Sequence, residues 1–248
     1  MSPSPPAVSL EDISVRYRVP AERFGTFKEY MIRRLRGQVN HHEFLALNGV
    51  SLSVGRAEVF GIVGRNGAGK STLLKLVARV LKPSSGRLIV RGHVAPLLEL
   101  GAGFHPELTG RENVFLNGTL LGHAQREIAA RFEEVAAFAD IGDFIEAPLR
   151  TYSTGMVARL GFAVATAWVP DILILDEVLS VGDEDFQRKC LERMRAFQES
   201  GATVLMVSHS ASTVERMCTR AAWLDHGKVR ALGLAAEVTG AYHASTAG

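Results

Sequence analysis

Gly64, Gly69, Lys70 and Ser71 stand at the spacing G-x-x-x-x-G-K-[ST] within the stretch AEVFGIVGRNGAGKSTLLKLVARVL, and that combination is suited to holding phosphate. Glycines let backbone N–H groups turn inward around anionic oxygens, so Arg65, Asn66, Gly67 and Ala68 offer main-chain donors whatever their side chains. A helix beginning at Lys70 adds the partial positive charge of its N-terminus and the amide of Thr72. The Lys70 ammonium reaches outer phosphates, and the Ser71 hydroxyl offers an oxygen to Mg²⁺. A glycine-rich turn ahead of any helix looks similar, but these four positions match by chance in a chain this long with a probability on the order of one per cent.

Two further apolar runs end in groups of the right chemistry. PDILILDE is an aliphatic strand closing on Asp176 and Glu177, and a strand buried on both faces of a parallel sheet reads this way, with ligands at its carboxyl end. Asp176 is placed to hold Mg²⁺ through its water shell, and Glu177 to polarise an attacking water. ATVLMVSHS ends the same way on His209, whose imidazole can bond a terminal phosphate or orient water.

These groups need strands, a turn and helices to carry them. A chain of 248 residues, 47% hydrophobic and 22% charged, can bury the core of one large domain or two lobes. Strand–loop–helix patterns around the phosphate loop predict an α/β fold with a mostly parallel core sheet. Between that loop and Asp176, TGRENVFLNGTLLG and AQREIAARFEEVAAFADI space apolar residues three and four apart, which predicts helices. RTYSTGMVARLGFAVATA then places Ser153, Thr154 and Gly155 at the start of another long apolar helix.

Charge and composition remove several function classes. Lys and Arg number 28 against 26 Asp and Glu, a net +2, so no global field favours nucleic acid. Cys190 and Cys218 make neither a disulfide framework nor a metal-ligand spacing, which suits a reducing compartment. MSPSPPAVSL lacks the basic and apolar regions of a secretory signal, and its Ser/Pro-rich residues 1–7 read as a disordered start. The run from Leu160 to Val169 is too short to span a bilayer.

In order and spacing, the phosphate loop, YSTGM at 152–156, LILDE and SVGD resemble the ATPase domains of ABC transporters over residues 8–248. The resemblance implies a P-loop NTPase with an antiparallel β subdomain and, over 100–168, a helical subdomain. YSTGM is similar to that family's signature, usually LSGGQ, with Thr154 and Met156 in place of Gly and Gln. It implies a homodimer in which Ser153 and Gly155 of one subunit meet the γ-phosphate of ATP held by the other, and Asp183 makes a contact across the dimer. It also implies Tyr17 as the ring stacked on adenine, with Phe44 its rival, and His209 as a γ-phosphate sensor. The glutamine expected between the lobes is missing, and Glu99 in APLLELGAGFHPELTGRENV stands near its place as a metal ligand.

One segment narrows the resemblance. Over 20–44, AERFGTFKEYMIRRLRGQVNHHEF interrupts the pattern, with Phe24, Phe27, Met31 and Leu35 on one side of a helical wheel. From 16 to 36 seven basic residues face only Glu22 and Glu29, so the segment is basic and amphipathic, suited to a membrane surface, a membrane partner, or packing on its own domain with a solvated basic edge. It is similar to the gate helix of ATPases that export lipid-linked polysaccharide: O-antigen, capsule, teichoic acid or galactan. That resemblance implies a separate multi-span permease, a place on the cytoplasmic face of the membrane, and lipid-linked glycan as indirect cargo. Some relatives add a C-terminal carbohydrate-binding domain; with the sequence closing at EVTGAYHASTAG, the expectation is that glycan recognition falls to the permease or the insert.

Overall fold

In the computed structural model, residues 5–20, 41–97, 101–176, 182–208 and 210–246 are described. Two long ribbons open the chain, β1 (Val8–Pro20) and β2 (His41–Val54), paired antiparallel, and β4 (Ser85–Val90) lies on the other side of β1. Val8, Leu10, Ile13 and Val15 are buried while Glu11, Arg16 and Arg18 face outward, the half-buried pattern of an antiparallel sheet. Order begins sooner than the Ser/Pro-rich start suggests. Ala7 is buried, its carbonyl accepts from Arg91 N at 2.8 Å, and Arg91 Nη1 donates to Pro6 O at 2.8 Å.

The central sheet has the order β5-β6-β7-β3-β8-β9, with β3 at Val59–Val63, β5 at Val94–Leu97, β6 at Ile172–Asp176, β7 at Thr203–Val207, β8 at Arg220–Asp225 and β9 at Lys228–Leu234. The strands are parallel except β9, which returns antiparallel on β8. Successive side chains leave opposite faces of a strand. Phe60, Ile62, Ile174 and Leu205 accordingly enter one core, beneath the antiparallel sheet, with Leu73 and Leu76 of α1 (Lys70–Val77). Val59, Val63, Leu173 and Met206 enter a second core with Phe186, Cys190 and Phe197 of α5 (Glu184–Glu199).

A third core belongs to the helical subdomain: Val114 of α2 (Gly110–Leu120), Ile128 and Phe132 of α3 (Gln125–Ala139), and Leu160 and Val164 of α4 (Thr154–Ala165). TGRE starts α2 with a reciprocal capping box, Thr109 Oγ1 accepting from Glu112 N at 3.2 Å and Glu112 Oε2 from Thr109 N at 2.8 Å. Two helices, α6 (Ala211–Met217) and α7 (Ala235–Thr246), complete the described order. The ends of the expected insert, Pro20 and His41 to Phe44, are strand. Residues 21–40, with Phe24, Phe27, Met31 and Leu35, lie outside the described residues.

Candidate functional site

The phosphate loop joins β3 to α1 and is pinned at both ends. Gly64 has φ +154°, and a Cβ there would sit 2.2 Å from the Leu224 carbonyl oxygen; Gly69 has φ +105°, and a Cβ would sit 2.6 Å from Ala46 O. Backbone of β8 and β2 therefore leaves no room for a side chain at either end. At Gly67, with φ +79°, a Cβ would meet nothing within 4 Å. The middle of the loop is open. Inside it, Ala68 N donates to Arg65 O at 3.1 Å.

Lys70 begins α1 and is 6% exposed. Its ammonium bends back over the loop and donates to Gly64 O at 2.7 Å and Arg65 O at 3.0 Å. Gly69 gives the helix no side-chain cap, and its first turn holds no acidic residue. The amides of that turn, including those of Ser71 and Thr72, thus meet no competing local carboxylate, the arrangement a helix N-terminus offers an anion. The Ser71 side chain is exposed beside them.

The sheet brings the other strand ends to the same edge. Ile62 pairs with Val207, and Val207 with Asp176, so β3, β7 and β6 finish in one row and Asp176 stands two strands from the root of the loop. Glu99, Glu177 and His209 lie outside the described residues.

A turn that the sequence analysis missed locks the loop. Gly227, in the β8–β9 hairpin, donates N–H to Ala68 O at 3.0 Å and accepts from Asn48 N at 2.8 Å. One residue thereby ties the phosphate loop to β2. DHGK is legible as a hairpin turn, with His226 at φ +46° and Gly227 at φ +73°, but its reach to residue 68 is not. Two residues along β2 from Ala46, Phe44 faces Tyr17 across the β1–β2 pair. Tyr17 is half-buried against the first core, whereas Phe44 is 58% exposed.

Ser153 and Gly155 stand on the helical subdomain, at the tip of α4. Ser153 Oγ accepts from Met156 N at 3.2 Å and caps the helix. As an acceptor it keeps its own hydrogen to donate outward. The space at Gly155 is open, a Cβ meeting only Ser153 Oγ at 3.8 Å. Neither φ nor packing within the chain requires glycine there, and the backbone at this turn is open. No acidic residue lies in this first turn either. Next to the tip, the Tyr152 hydroxyl donates to Phe144 O, and burial pushes its pKa up.

Asp183 caps α5, Oδ1 accepting from Phe186 N at 3.0 Å, while Oδ2 receives Arg159 Nη2 of α4 at 2.6 Å. The bond from Phe186 N, with Arg159 beside it, holds this carboxyl below its ordinary range. Arg159 was not among the residues singled out from the sequence.

A family model described as ABC transporter matches residues 47–180. Over 200 residues the chain is 50% identical to the O-antigen export system ATP-binding protein RfbB of Klebsiella pneumoniae, covering 81% of each. It is 47% identical over 247 residues to RfbB of Myxococcus xanthus, covering 98% of this chain and 56% of that protein. Against the teichoic acids export ATP-binding protein TagH of Bacillus anthracis, identity is 40% over 235 residues, covering 95% of this chain and 42% of the relative. The chain thus spans about half the length of the latter two. Among solved structures, it is similar to the ATP-binding cassette MJ0796 in a dimeric post-hydrolysis state bound to ADP and Pi, with TM-score 0.71 and 22% identity over 92% of this chain and 98% of that one. An ATP-binding subunit of an ABC transporter gives TM-score 0.73 at 22% identity, covering 96% and 93%.

Proposed function

The chain belongs to the ABC transporter family of ATP-binding proteins, and on that premise we propose that it is the ATP-hydrolysing subunit of an exporter that moves lipid-linked polysaccharide across the cytoplasmic membrane. The observation that carries hydrolysis is the phosphate loop pinned at Gly64 and Gly69, roofed by Lys70 and backed by an uncapped, acid-free helix start. The cargo class rests on the 50% identity to an O-antigen export protein over 81% of both chains. Among the described residues no helix is long and apolar enough to cross a membrane. The relatives named for export systems support a cargo path in a separate multi-span permease, to which this subunit binds at the cytoplasmic face.

ATP phosphates settle against the amides of residues 64–72, and Lys70 exchanges the carbonyls of Gly64 and Arg65 for phosphate oxygens. Ser71 and Asp176 supply hard oxygen donors at the loop end and the strand end, which fits Mg²⁺, with Glu99 an additional carboxylate ligand. Mg²⁺ bound there neutralises charge that develops on the transferred phosphoryl group. Glu177 orients the attacking water as general base, and His209 bonds the γ-phosphate. Tyr17 stacks on adenine, its ring held in place by the first core.

Two copies assemble head to tail. In each site the Ser153 O–H and Gly155 N–H of one protomer, backed by the α4 dipole, close on the γ-phosphate held by the other, and Asp183 meets the facing loop. ATP joins the protomers, and its hydrolysis parts them, driving the permease between states. The basic insert at 20–44 lies at the entry side for the lipid carrier.

The test is reconstitution with the multi-span membrane protein that co-purifies with this chain, in vesicles loaded with undecaprenyl- or decaprenyl-linked glycan. ATP-dependent movement of the glycan is expected, abolished by Glu177→Gln. ATP turnover coupled to a different cargo, with the glycan unmoved, overturns the export reading.

A further inference from the structure

Arg159 and Asp183 are 24 positions apart and belong to different parts of the fold, the signature-bearing helix of the helical subdomain and the cap of the helix that follows β6. The guanidinium is only 19% exposed, and its Nη2 lies 2.6 Å from Asp183 Oδ2. Its Nη1 donates to the Asp140 carbonyl at 3.3 Å, at the end of α3, and its plane lies over the Phe186 ring at 4.9 Å. One side chain of α4 therefore touches the end of α3 and both the cap and a ring of α5.

The surrounding packing makes that junction stiff. Beneath Arg159, Phe138 of α3, Phe162 of α4 and Phe186 of α5 form a triangle of rings, with centroids 5.8, 5.7 and 6.0 Å apart. Phe138 packs against both the second and third cores. Lys189 reaches the same Asp140 at 3.1 Å, and Arg193 bonds Glu134 and the Thr166 carbonyl, each at 3.0 Å. Asp183 itself is 65% exposed, so the ion pair adds little stability in water. What the geometry supplies is orientation.

Ser153 lies six residues before Arg159, about 9 Å along the helix axis at 1.5 Å per residue. We propose that Arg159 is a positioning residue that fixes the tip of α4 to the start of α5, so that Ser153, Gly155 and Asp183 approach the opposite protomer's nucleotide as one rigid body. Without it the tip of α4 and the start of α5 arrive separately, and the site closes slowly. The inference rests on the composite two-protomer site proposed above.

The full chain is tested as Arg159→Met, which keeps an apolar stem over Phe186; as Asp183→Asn, which keeps a capping oxygen for Phe186 N; and as the double variant. Affinity of the unassembled chain for a fluorescent ATP analogue is expected within about twofold of wild type, because no contact of the phosphate loop is removed. Turnover is expected to fall at least tenfold, and in a Glu177→Gln background the ATP concentration that half-dimerises the protein is expected to rise at least tenfold. Arg159→Lys restores part of both. The double variant is expected to be no worse than the more affected single one, as for two ends of one contact.

Wild-type turnover and dimerisation in Arg159→Met, or losses that multiply in the double variant, overturn the proposal. Loss of nucleotide affinity in parallel with melting temperature assigns the pair a merely structural role and also overturns it. Should Arg159→Met fail to fold, Arg159→Gln, which keeps a stem over Phe186 and removes the charge facing Asp183, separates the same outcomes by the same measurements. If Glu177→Gln alone does not dimerise on ATP, the composite site itself has failed, a result distinct from all of these.

Discussion

The Lys70 ammonium lies 2.7 Å from the Gly64 carbonyl oxygen, the first residue of the loop held by the first residue of the helix that follows it. A charge parked on carbonyls inside its own loop moves to phosphate without unfolding anything. Lys70→Met keeps the buried stem and removes the charge, and charge-assisted hydrogen bonds are worth about 1.5–3 kcal/mol. Nucleotide affinity is expected to fall roughly 10- to 100-fold with the far-ultraviolet circular dichroism unchanged. Titration with a fluorescent ATP analogue checks this, and an affinity within twofold of wild type removes Lys70 from the site.

Gly227 is the second position where a small change should be felt at a distance. A Cβ there would stand 2.7 Å from Ala46 O, on a residue with φ +73°, and the left-handed conformation alone costs a non-glycine residue about 1–2 kcal/mol. Gly227→Ala is expected to lower stability by at least that much in urea unfolding. Because its N–H holds Ala68 O, nucleotide affinity should fall too, although no atom of Gly227 is offered to ligand. A stable variant with unaltered affinity would show that the hairpin does not support the loop.

The phosphate loop was legible because its chemistry is local: four residues within eight positions set turn, donor and charge together. Ser153 as a helix cap was legible for the same reason. The strands at Ile172–Asp176 and Thr203–Val207 were readable as short, mostly apolar runs, the pattern of a sheet covered on both faces. Gly227 and Arg159 were not legible, since the first acts on a residue 159 positions away and the second on one 24 away. Periodicity and motif spacing carry no record of which turn lands on which loop. The start of order at Ala7 was hidden likewise, because its partner Arg91 is distant in sequence.

Tyr17 and Phe44 face each other across one pair of strands, so their roles separate by environment rather than position. A ring already held by the core loses little freedom when a base stacks on it, which favours half-buried Tyr17 over exposed Phe44. Stacking on a base is worth about 1–3 kcal/mol. Tyr17→Ala is expected to weaken ATP roughly tenfold or more while leaving inorganic triphosphate binding unchanged, and Phe44→Ala to have a smaller effect. Calorimetry with both ligands decides, and the reverse order transfers the role to Phe44.

Burial pushes both thiols, Cys190 and Cys218, up to about 12 from 9.0. Cys190 packs under the arginine-bearing junction of α4 and α5, and Cys218 at the foot of β3, where a Cβ on Gly61 would lie 3.0 Å from its sulfur. The thiolate is the reactive form, so the folded protein is expected to resist iodoacetamide at pH 8 and to take up two equivalents once unfolded. The linkage runs in one direction. Below pH 9 both states hold the proton and stability is unaffected; as pH rises from about 9 toward about 12 the unfolded chain gives up protons that the folded one keeps, so stability falls across that window. Cys218→Ala isolates the contribution of the thiol whose shift comes from burial alone, with no arginine opposing it, and urea midpoints between pH 7 and 10.5 measure it. The variant is expected to lose less stability with rising pH than wild type, and parallel curves would show that the thiol is open to water.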